Sequence, residues 1–275
     1  MTNRQRLGIH TMTLKSWSLR ETCAALSAAG VPAITLWRQA VEPVGVDLAR
    51  QLVEDAGLRV TSLCRGGFFP AATEQGRRNA IDENRRVIDE AAAVGAPAVV
   101  LVCGAVPGQS LQTSRSQIQD GIAAVLPHAK ACGVNLSIEP LHPIYAADRS
   151  AVNTMVQARR MCEQLNGSHE TRVGIAADVY HIWFDDTLEQ EILLSGKAGW
   201  LHAFHICDWK VEQSDPLQDR GLMGEGVIDI RQIHHWMTAA GYTGDIEVEI
   251  FSQHHWAKDP ALFLQEILTA CDDCL

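Results

Sequence analysis

Two patterns of apolar and polar residues alternate along the chain. Segments with an apolar period of about 3.6 residues, typical of amphipathic helices, are followed by short, uninterrupted apolar runs. Uninterrupted runs are typical of strands in a parallel sheet that is covered on both faces. The helical pattern is clearest from Ser18 to Ala29, from Gly76 to Val94 and from Ser114 to Ala131. The sequence therefore predicts helices that alternate with buried parallel strands.

A glycine marks most of the junctions between a predicted helix and the strand that follows it. Directly after a helix, glycine adopts the left-handed conformation without a Cβ penalty, so it indicates a helix end. Seven junctions and a first strand at Leu7 to His10 predict eight strands. The junctions are Gly30 before Ala33 to Leu36, Gly57 before Val60 to Leu63, Gly95 before Ala98 to Val102, Gly133 before Asn135 to Glu139, the stretch from Gly167 to Gly174 before Ile175 to Asp178, Gly199 before Trp200 to His205, and Gly241 before Ile246 to Ile250.

This order of elements favours one α/β architecture. Eight β/α alternations without a linker predict a (β/α)8 TIM barrel that forms a single domain over residues 1–275. A doubly wound open sheet is the alternative. Such a sheet more often carries a glycine fingerprint after its first strand, and the segment Gly8-Ile9-His10-Thr11 has none.

Charge and hydropathy exclude some classes of partner. The net charge is −10 and the basic residues are scattered, so no basic stripe is available to follow a nucleic acid backbone. The first residues contain no apolar signal region, and no run approaches the roughly 18 apolar residues of a membrane span. We therefore expect a soluble, cytoplasmic protein with neither a nucleic acid nor a membrane as partner.

Candidate reactive residues follow the ends of the predicted strands, where α/β barrels carry their chemistry. Pro140 cannot donate to a sheet ladder, so it should end the fifth strand at Glu139. The strand-end candidates are His10, Arg65, Glu139, Asp178, His205 and Glu249.

Four of these candidates, on the last four strands, are of metal-ligand type. The carboxylates of Glu139, Asp178 and Glu249 would repel one another at one rim unless a cation offset their charge. With the imidazole of His205 they form an oxygen-rich set that favours one Mn²⁺ ion, with Mg²⁺, Co²⁺ or Zn²⁺ as alternatives. Each residue could instead have an ordinary structural role, Asp178 for example as a helix N-cap.

Further candidates surround this set. His181 lies three residues after Asp178, within reach of a substrate oxygen, and His142 lies three residues after Glu139, where it could act as an acid or base. Either histidine could instead be structural. The long connection from Cys207 to Gly226 is predicted to be a functional lid. Lid residues, together with His10, Trp37, Arg65 and Phe68, are expected to select the substrate.

Several of these segments together resemble the xylose isomerase-like TIM barrel superfamily, which contains sugar phosphate isomerases and epimerases, ketose 3-epimerases, inosose dehydratases and endonuclease IV. The resemblance spans essentially the whole chain. It implies Glu139, Asp178, His205 and Glu249 as ligands of a divalent ion, and His181 and Arg220 as substrate contacts. It also implies a sugar substrate and a homo-oligomer, either a dimer or a tetramer. The segments are Ile138-Glu139-Pro140, Asp178-x-x-His181, His205-Ile-Cys-Asp208, the stretch from Asp219 to Gly226, and Glu247-Val-Glu249.

Two departures from the family patterns narrow the function. Endonuclease IV has additional metal-binding histidines where this chain has Cys64-Arg65-Gly66, Cys103-Gly104 and Gly221, which disfavours a phosphodiesterase. Ketose 3-epimerases tend to carry a glutamate at the position of Asp208. The expected enzyme is a metal-dependent isomerase or epimerase that transfers a proton through an enediolate of a ketose or ketosugar, with Glu139 and Glu249 as proton carriers. A lyase or dehydratase with His142 as the acid is the alternative.

Overall fold

Eight parallel strands form a closed barrel in chain order in the computed structural model, which describes residues 2–167 and 171–275. The last strand pairs with the first, so the sheet has no free edge. This arrangement confirms the predicted (β/α)8 TIM barrel. The strands are β1 (Leu7–His10), β2 (Ala33–Trp37), β3 (Arg59–Gly67), β4 (Ala98–Val102), β5 (Asn135–Glu139), β6 (Val173–Asp178), β7 (Leu201–Ile206) and β8 (Ile246–Val248).

Helices connect the strands and cover the outside of the barrel, where their apolar faces pack against the strands. Among the described residues, no helix combines the length and hydrophobicity needed to cross a bilayer. The α-helices are α1 (Leu19–Ala28), α2 (Arg38–Val41), α3 (Val46–Asp55), α4 (Glu74–Ala93), α5 (Leu111–Cys132), α6 (Met155–Asn166), α7 (Val179–Ile182), α8 (Leu188–Lys197), α9 (Ile230–Ala239), α10 (Gln253–Trp256) and α11 (Pro260–Cys274), and two 3-10 helices cover Asn3–Arg6 and Pro143–Tyr145.

The predicted glycine junctions agree with the structure. The first glycine of each junction has a positive φ, between 63° and 82°. Part of one junction, residues 168–170 between Gly167 and Gly174, lies outside the described residues. Strands β1, β4 and β5 have the predicted bounds, and β5 ends at Glu139 as expected from Pro140.

The eighth strand is shorter than its apolar run predicts. The run continues to Ile250, but β8 ends at Val248. Beyond that point the side chain of Thr13 takes part in the pairing: its hydroxyl donates to the carbonyl of Val248 at 3.0 Å and accepts from the Ile250 amide at 2.9 Å. A long-range side-chain contact therefore ends the strand and leaves Glu249 directly beyond it.

Alternation along the strands places the reactive residues inside the barrel. Successive side chains of a strand point to opposite faces, so residues two positions apart share a face. Val100, Ala176 and Ala203 form a small apolar cluster with Trp37 and Cys64, separate from the main core. Asp178 and His205 lie two residues beyond Ala176 and Ala203. They therefore extend the same faces toward the carboxyl end of the barrel.

Candidate metal centre and active site

Four buried side chains meet at the carboxyl end of the barrel. One potential ligand atom from each of Glu139, Asp178, His205 and Glu249 lies within 4.8 Å of those from the other three. Nδ1 of His205 is 3.3 Å from Oε1 of Glu139 and 3.9 Å from Oε2 of Glu249. Both glutamates therefore approach the same ring nitrogen, although they come from strand ends on opposite sides of β6 and β7.

Asp178 has both the structural and the candidate functional role. Its Oδ1 accepts a hydrogen bond from the Tyr180 amide at 2.9 Å and so caps the short helix α7. Its Oδ2 faces the cluster and accepts from Nη1 of Arg220 at 2.9 Å. The cap explains why the chain turns into a helix directly after β6 and brings His181 to the same end, with Nε2 at 3.6 Å from Asp178 Oδ2.

Arg220 is the cation of this cluster. Besides Asp178, its Nη1 donates to Oε2 of Glu249 at 2.9 Å, and its Nη2 lies 3.2 Å from Nε2 of His181. The guanidinium also packs over the ring of Tyr180, 4.4 Å from the ring centre. Arg220 is 4% exposed, so its charge acts in a medium that screens it weakly. It therefore positions two candidate metal ligands as well as facing the cavity.

The protonation of His205 reflects its crowded surroundings. Burial by itself lowers the pKa of an imidazole, because it penalises the charged form. Three surrounding carboxylates reverse this effect and raise the pKa of His205 to about 10. These carboxylates are Glu139, Glu247 and Glu249.

The carboxyl groups of Asp178 and Glu249 shift in opposite directions. Burial raises the pKa of Asp178 above its usual range, although Arg220 opposes the shift. Burial also acts to raise the pKa of Glu249, but His10 and Arg220 hold it well below its ordinary value. Without a metal ion, the cluster therefore holds a proton on His205 at neutral pH, while Glu249 is ionised.

The donor set fits a divalent cation. Among the described residues, Oε1 of Glu139 and both ring nitrogens of His205 are buried without a hydrogen-bond partner. Buried polar atoms are normally satisfied, so unpaired atoms that face one another suggest a missing ligand. Three carboxylates and one imidazole suit Mn²⁺ or Mg²⁺, and Zn²⁺ also accepts such ligands. These four residues could therefore hold one ion.

A cavity of about 230 Å³ opens above the cluster. Its volume is slightly smaller than the roughly 300–1,000 Å³ typical of pockets for drug-sized ligands, so it suits a small molecule such as a sugar. Glu139, His181, Arg220 and Glu249 supply polar groups to its wall, while Asp178 and His205 lie behind them. Aromatic wall residues are Trp37, Tyr145, Phe251 and Trp256. Of the predicted substrate contacts, His181, Arg220 and Arg65 line the cavity.

His10 lies behind the cavity wall. Its Nδ1 accepts a hydrogen bond from Nε1 of Trp37 at 3.0 Å and lies 3.1 Å from Oε1 of Glu249. With His205 and Glu249 it forms a second group of potential ligand atoms within 4.8 Å of one another. His10 thus packs against Glu249 behind the cavity wall, and its predicted contact with substrate stays a prediction.

His142 is also absent from the described cavity wall. Its ring stacks on Trp209 with centroids 4.6 Å apart, and its Nδ1 accepts from the Ile144 amide at 3.3 Å. Burial lowers its pKa, which favours the neutral form. The role as a catalytic acid stays a prediction.

The connection from Cys207 to Gly226 is tied down by one carboxylate. Asp208 accepts hydrogen bonds from the amides of Trp209, Gly224, Gly226 and Ile228 at 2.8–3.0 Å. A Cβ on Gly226 would lie 2.2 Å from the Trp209 carbonyl oxygen, so only glycine fits there. Asp208 and Gly221 also exchange backbone hydrogen bonds of 2.9 Å, which fix the residue next to Arg220. This segment is predicted from the sequence as a lid, and its hydrogen bonds to Asp208 position Arg220.

Glu247 is a site residue that the sequence reasoning missed. It accepts hydrogen bonds from the hydroxyls of Thr35 at 2.6 Å and Thr61 at 2.7 Å, and is 2% exposed. Its Oε2 lies 3.8 Å from Nε2 of both His10 and His205. The sequence pattern that could have identified Glu247 is its position two residues before Glu249, which places both on the same face of the strand.

Comparison with known proteins identifies similar chains. A family profile described as xylose isomerase-like TIM barrel matches residues 23–267. An L-ribulose 3-epimerase from Mesorhizobium japonicum is 24% identical over 260 residues, covering 90% of this chain and 82% of that enzyme.

Two solved structures are similar over nearly the whole chain. Protein SMc04130 from Sinorhizobium meliloti 1021 is 46% identical, with a TM-score of 0.93 and 98% of each chain covered. IolI, solved with a bound zinc atom, is 18% identical, with a TM-score of 0.84 over 98% of this chain and 97% of that one. The likeness to IolI shows the shared fold.

Proposed function

Because the chain belongs to the xylose isomerase-like TIM barrel family, we propose that it is a divalent-metal-dependent sugar epimerase or isomerase that acts on an open-chain ketose or ketosugar. One observation carries the proposal: the carboxylates of Glu139 and Glu249 both line one cavity, and both approach Nδ1 of the buried His205. The similarity to an L-ribulose 3-epimerase supports this type of reaction.

The proposed ligands of the ion are Glu139, Asp178, His205 and Glu249, with Mn²⁺ as the favoured metal. When bound, the divalent ion supplies a Lewis-acid charge beside two neighbouring sugar oxygens and so acidifies the C–H bond between them. The cluster carries three carboxylates, which that charge would offset. His205 binds in its neutral form, so its proton must leave on metal uptake.

Two carboxylates move the proton in this scheme. Glu249 is ionised at neutral pH, because His10 and Arg220 hold its pKa low, and it can accept the proton from one face of the substrate carbon. Glu139, which comes from a different strand, gives a proton drawn from solvent to the opposite face, which inverts the carbon, and Glu249 passes its proton back to solvent. Return to the neighbouring carbon of the same enediolate gives isomerisation instead.

Arg220 and His181 would orient the substrate during this transfer. Both line the cavity, and both are buried, so a hydrogen bond to a substrate oxygen is weakly screened there. Because the substrate is bound next to the proton carriers, the proton transfer becomes effectively unimolecular, which lowers its entropic cost. Tyr145 and Trp37 add apolar walls that exclude water from the developing charge.

Deuterium exchange tests this function directly. The chain is loaded with Mn²⁺ in D₂O and incubated with ketoses, inososes and 3-keto-glycosides, and exchange at carbon is followed by ¹H NMR. We expect exchange and an epimeric or isomeric product with a ketose or ketosugar. Glu139→Gln and Glu249→Gln should each lower the rate by about 10²- to 10⁴-fold.

Controls separate loss of chemistry from loss of metal. Bound Mn²⁺ is counted in each variant, and Glu189→Gln, an exposed change on α8, should leave the rate unchanged. Unaltered exchange in both active-site variants would contradict the proposal. A dehydrated or cleaved product instead of an epimer would identify a lyase, the alternative outcome of the same first step.

The assembly and location belong to the same proposal. We expect a cytoplasmic homodimer or tetramer that has no nucleic acid partner. Light scattering after size-exclusion chromatography measures the oligomeric state, and a fluorescence titration with duplex DNA tests the absence of binding.

A further inference from the structure

Three cationic side chains of the cavity wall do not belong to the candidate metal cluster. They are Lys15 from the segment after β1, Arg65 on β3, and Arg149 from the segment after the 3-10 helix Pro143–Tyr145. They come from separate parts of the chain, so only the closed barrel brings them to one cavity. The proposed proton transfer uses none of them.

Within the described chain, none of these three cations has a carboxylate partner. Each packs on an aromatic ring instead: Nζ of Lys15 is 3.3 Å from the ring centre of Trp256, and Cζ of Arg65 is 4.4 Å from that of Phe68. Cζ of Arg149 is 5.8 Å from the ring centre of Tyr145. Stacking holds a guanidinium by its face and leaves its N–H groups free for a ligand.

Arginines elsewhere on the molecule are often paired. Arg38 forms ion pairs with Glu83 and Glu90, at 2.9 Å and 2.6 Å. Arg159 likewise donates to Glu191. Arg65 and Arg149 differ from these paired arginines because they face the cavity and have no carboxylate partner among the described residues.

Arg65 and Arg149 also repel each other. Burial lowers the pKa of Arg65, and Arg149 lowers it further, by more than Glu139 raises it. A ligand anion between the two guanidinium groups would relieve their repulsion and accept several charge-assisted hydrogen bonds.

The carboxylates of the candidate metal centre do not offset the charge of Lys15, Arg65 and Arg149. This step rests on the proposed function: a divalent ion and Arg220 together offset the carboxylates of Glu139, Asp178 and Glu249. The positive charge of Arg65, Arg149 and Lys15 then has no counterpart in the cavity wall except a ligand.

We infer that the sugar substrate carries an anionic group, a carboxylate or a phosphate, that binds between Arg65 and Arg149 while the reacting carbon lies at Glu139 and Glu249. Lys15, which is exposed and packs over Trp256 in the wall of the same cavity, adds attraction for the incoming anion. The substrate class is thus an acidic ketosugar. A neutral ketose of the same length would leave the two guanidinium groups without a partner.

A matched ligand series tests this inference by calorimetry on the Mn²⁺-loaded chain. The probes are D-fructose, D-fructuronate and D-fructose 6-phosphate, which differ only in the group at carbon 6. We expect at least one of the two anions to bind about tenfold to a hundredfold more tightly than D-fructose. The comparison of the two anions distinguishes a carboxylate from a phosphate as the preferred group.

Arginine variants assign the effect to the cavity. Arg65→Gln and Arg149→Gln should each lower the affinity for the preferred anion by about tenfold or more, and should lower the affinity for D-fructose by much less. The matched control is Arg20→Gln, an exposed arginine on α1 outside the cavity wall. Circular dichroism checks folding, and Arg149→Gln serves as the second variant if Arg65→Gln unfolds.

Two results would overturn the inference. Either neither anion binds more tightly than D-fructose, or both arginine variants bind the anion like the unaltered chain. Deuterium exchange separates this failure from failure of the proposed function. Equal deuterium exchange with neutral and anionic ketoses would contradict only the anion subsite. Anion binding that depends on the arginines, without exchange on any ligand, would contradict only the proposed proton transfer.

Discussion

Nη1 of Arg220 lies 2.9 Å from Oε2 of Glu249, and both side chains are at least 95% buried. The same nitrogen donates to Asp178, so one cation stabilises two buried carboxylates in the metal-free chain. A buried ion pair is costly to break from one side, because the remaining charge is left without a partner. Arg220 and a bound metal ion therefore have partly overlapping electrostatic roles.

This overlap predicts that metal rescues a loss of Arg220. Without metal, Arg220→Met should lower the free energy of unfolding by about 3–5 kcal/mol, measured by urea denaturation in EDTA. With excess Mn²⁺ the loss should be smaller, since the ion offsets the same carboxylates and stabilises the folded state by binding it.

The exposed ion pair between Arg59 and Asp245 provides the control for that measurement. Arg59→Met should cost about 1 kcal/mol or less, with or without Mn²⁺. An equal loss for Arg220→Met in EDTA and in Mn²⁺ would show that the arginine and the ion do not act on the same charges.

Metal uptake should release protons. The pKa of His205 is raised to about 10, so its imidazole is protonated at neutral pH before the ion binds. Ligation needs the deprotonated form, so affinity for Mn²⁺ should rise between pH 6 and pH 8. Calorimetry in two buffers of different ionisation enthalpy measures the released protons, and His205→Gln should reduce their number.

A third group of potential ligands, away from the barrel end, could also bind Mn²⁺ and must be disabled for that measurement. Asp89, His128 and Cys132 lie on α4 and α5 and also bring ligand atoms within 4.8 Å of one another. In a His128→Ala background we expect one ion per chain by elemental analysis. Heats that do not depend on the buffer would argue against the protonated cluster.

Glu247 should tune metal affinity without touching the ion. It is held by Thr35 and Thr61 and faces Nε2 of His205, on the side away from Glu139. Groups in this position orient a ligand histidine, and their loss typically lowers metal affinity by about 10- to 100-fold.

The test is a Mn²⁺ titration of Glu247→Gln beside Glu189→Gln, an exposed change on α8. Only the first variant should bind more weakly. Unchanged affinity in Glu247→Gln would reduce Glu247 to a structural acceptor for the two threonines.

His142 should matter little for epimerisation. Its ring stacks on Trp209 and lies outside the cavity wall. Because His142→Phe keeps this packing, it should lower the rate of deuterium exchange by less than about tenfold. A general acid contributes about 10²- to 10⁴-fold. A loss of that size in His142→Phe, together with a cleaved or dehydrated product, would support the lyase alternative.

Local sequence determined the barrel and the strand ends of the candidate site. Glycine allows the positive φ at each helix end, and Pro140 blocks a ladder hydrogen bond. The succession of helices and strands along the chain, and the position of Glu139 at a strand end, therefore follow from neighbouring residues. The alternation of strands and helices then places Asp178 and His205 at the same rim, because parallel strands of a barrel all end at one side.

Tertiary structure decided what these residues meet. Arg220 reaches Asp178 across 42 positions of the chain, and Thr13 ends β8 from 235 positions away, contacts that no local pattern specifies. Lys15, Arg65 and Arg149 are isolated basic residues in the sequence and share one cavity only after the barrel closes. Backbone conformation depends on neighbouring residues, whereas charge pairing, burial and the pKa shifts they cause depend on distances that exist only in the folded chain.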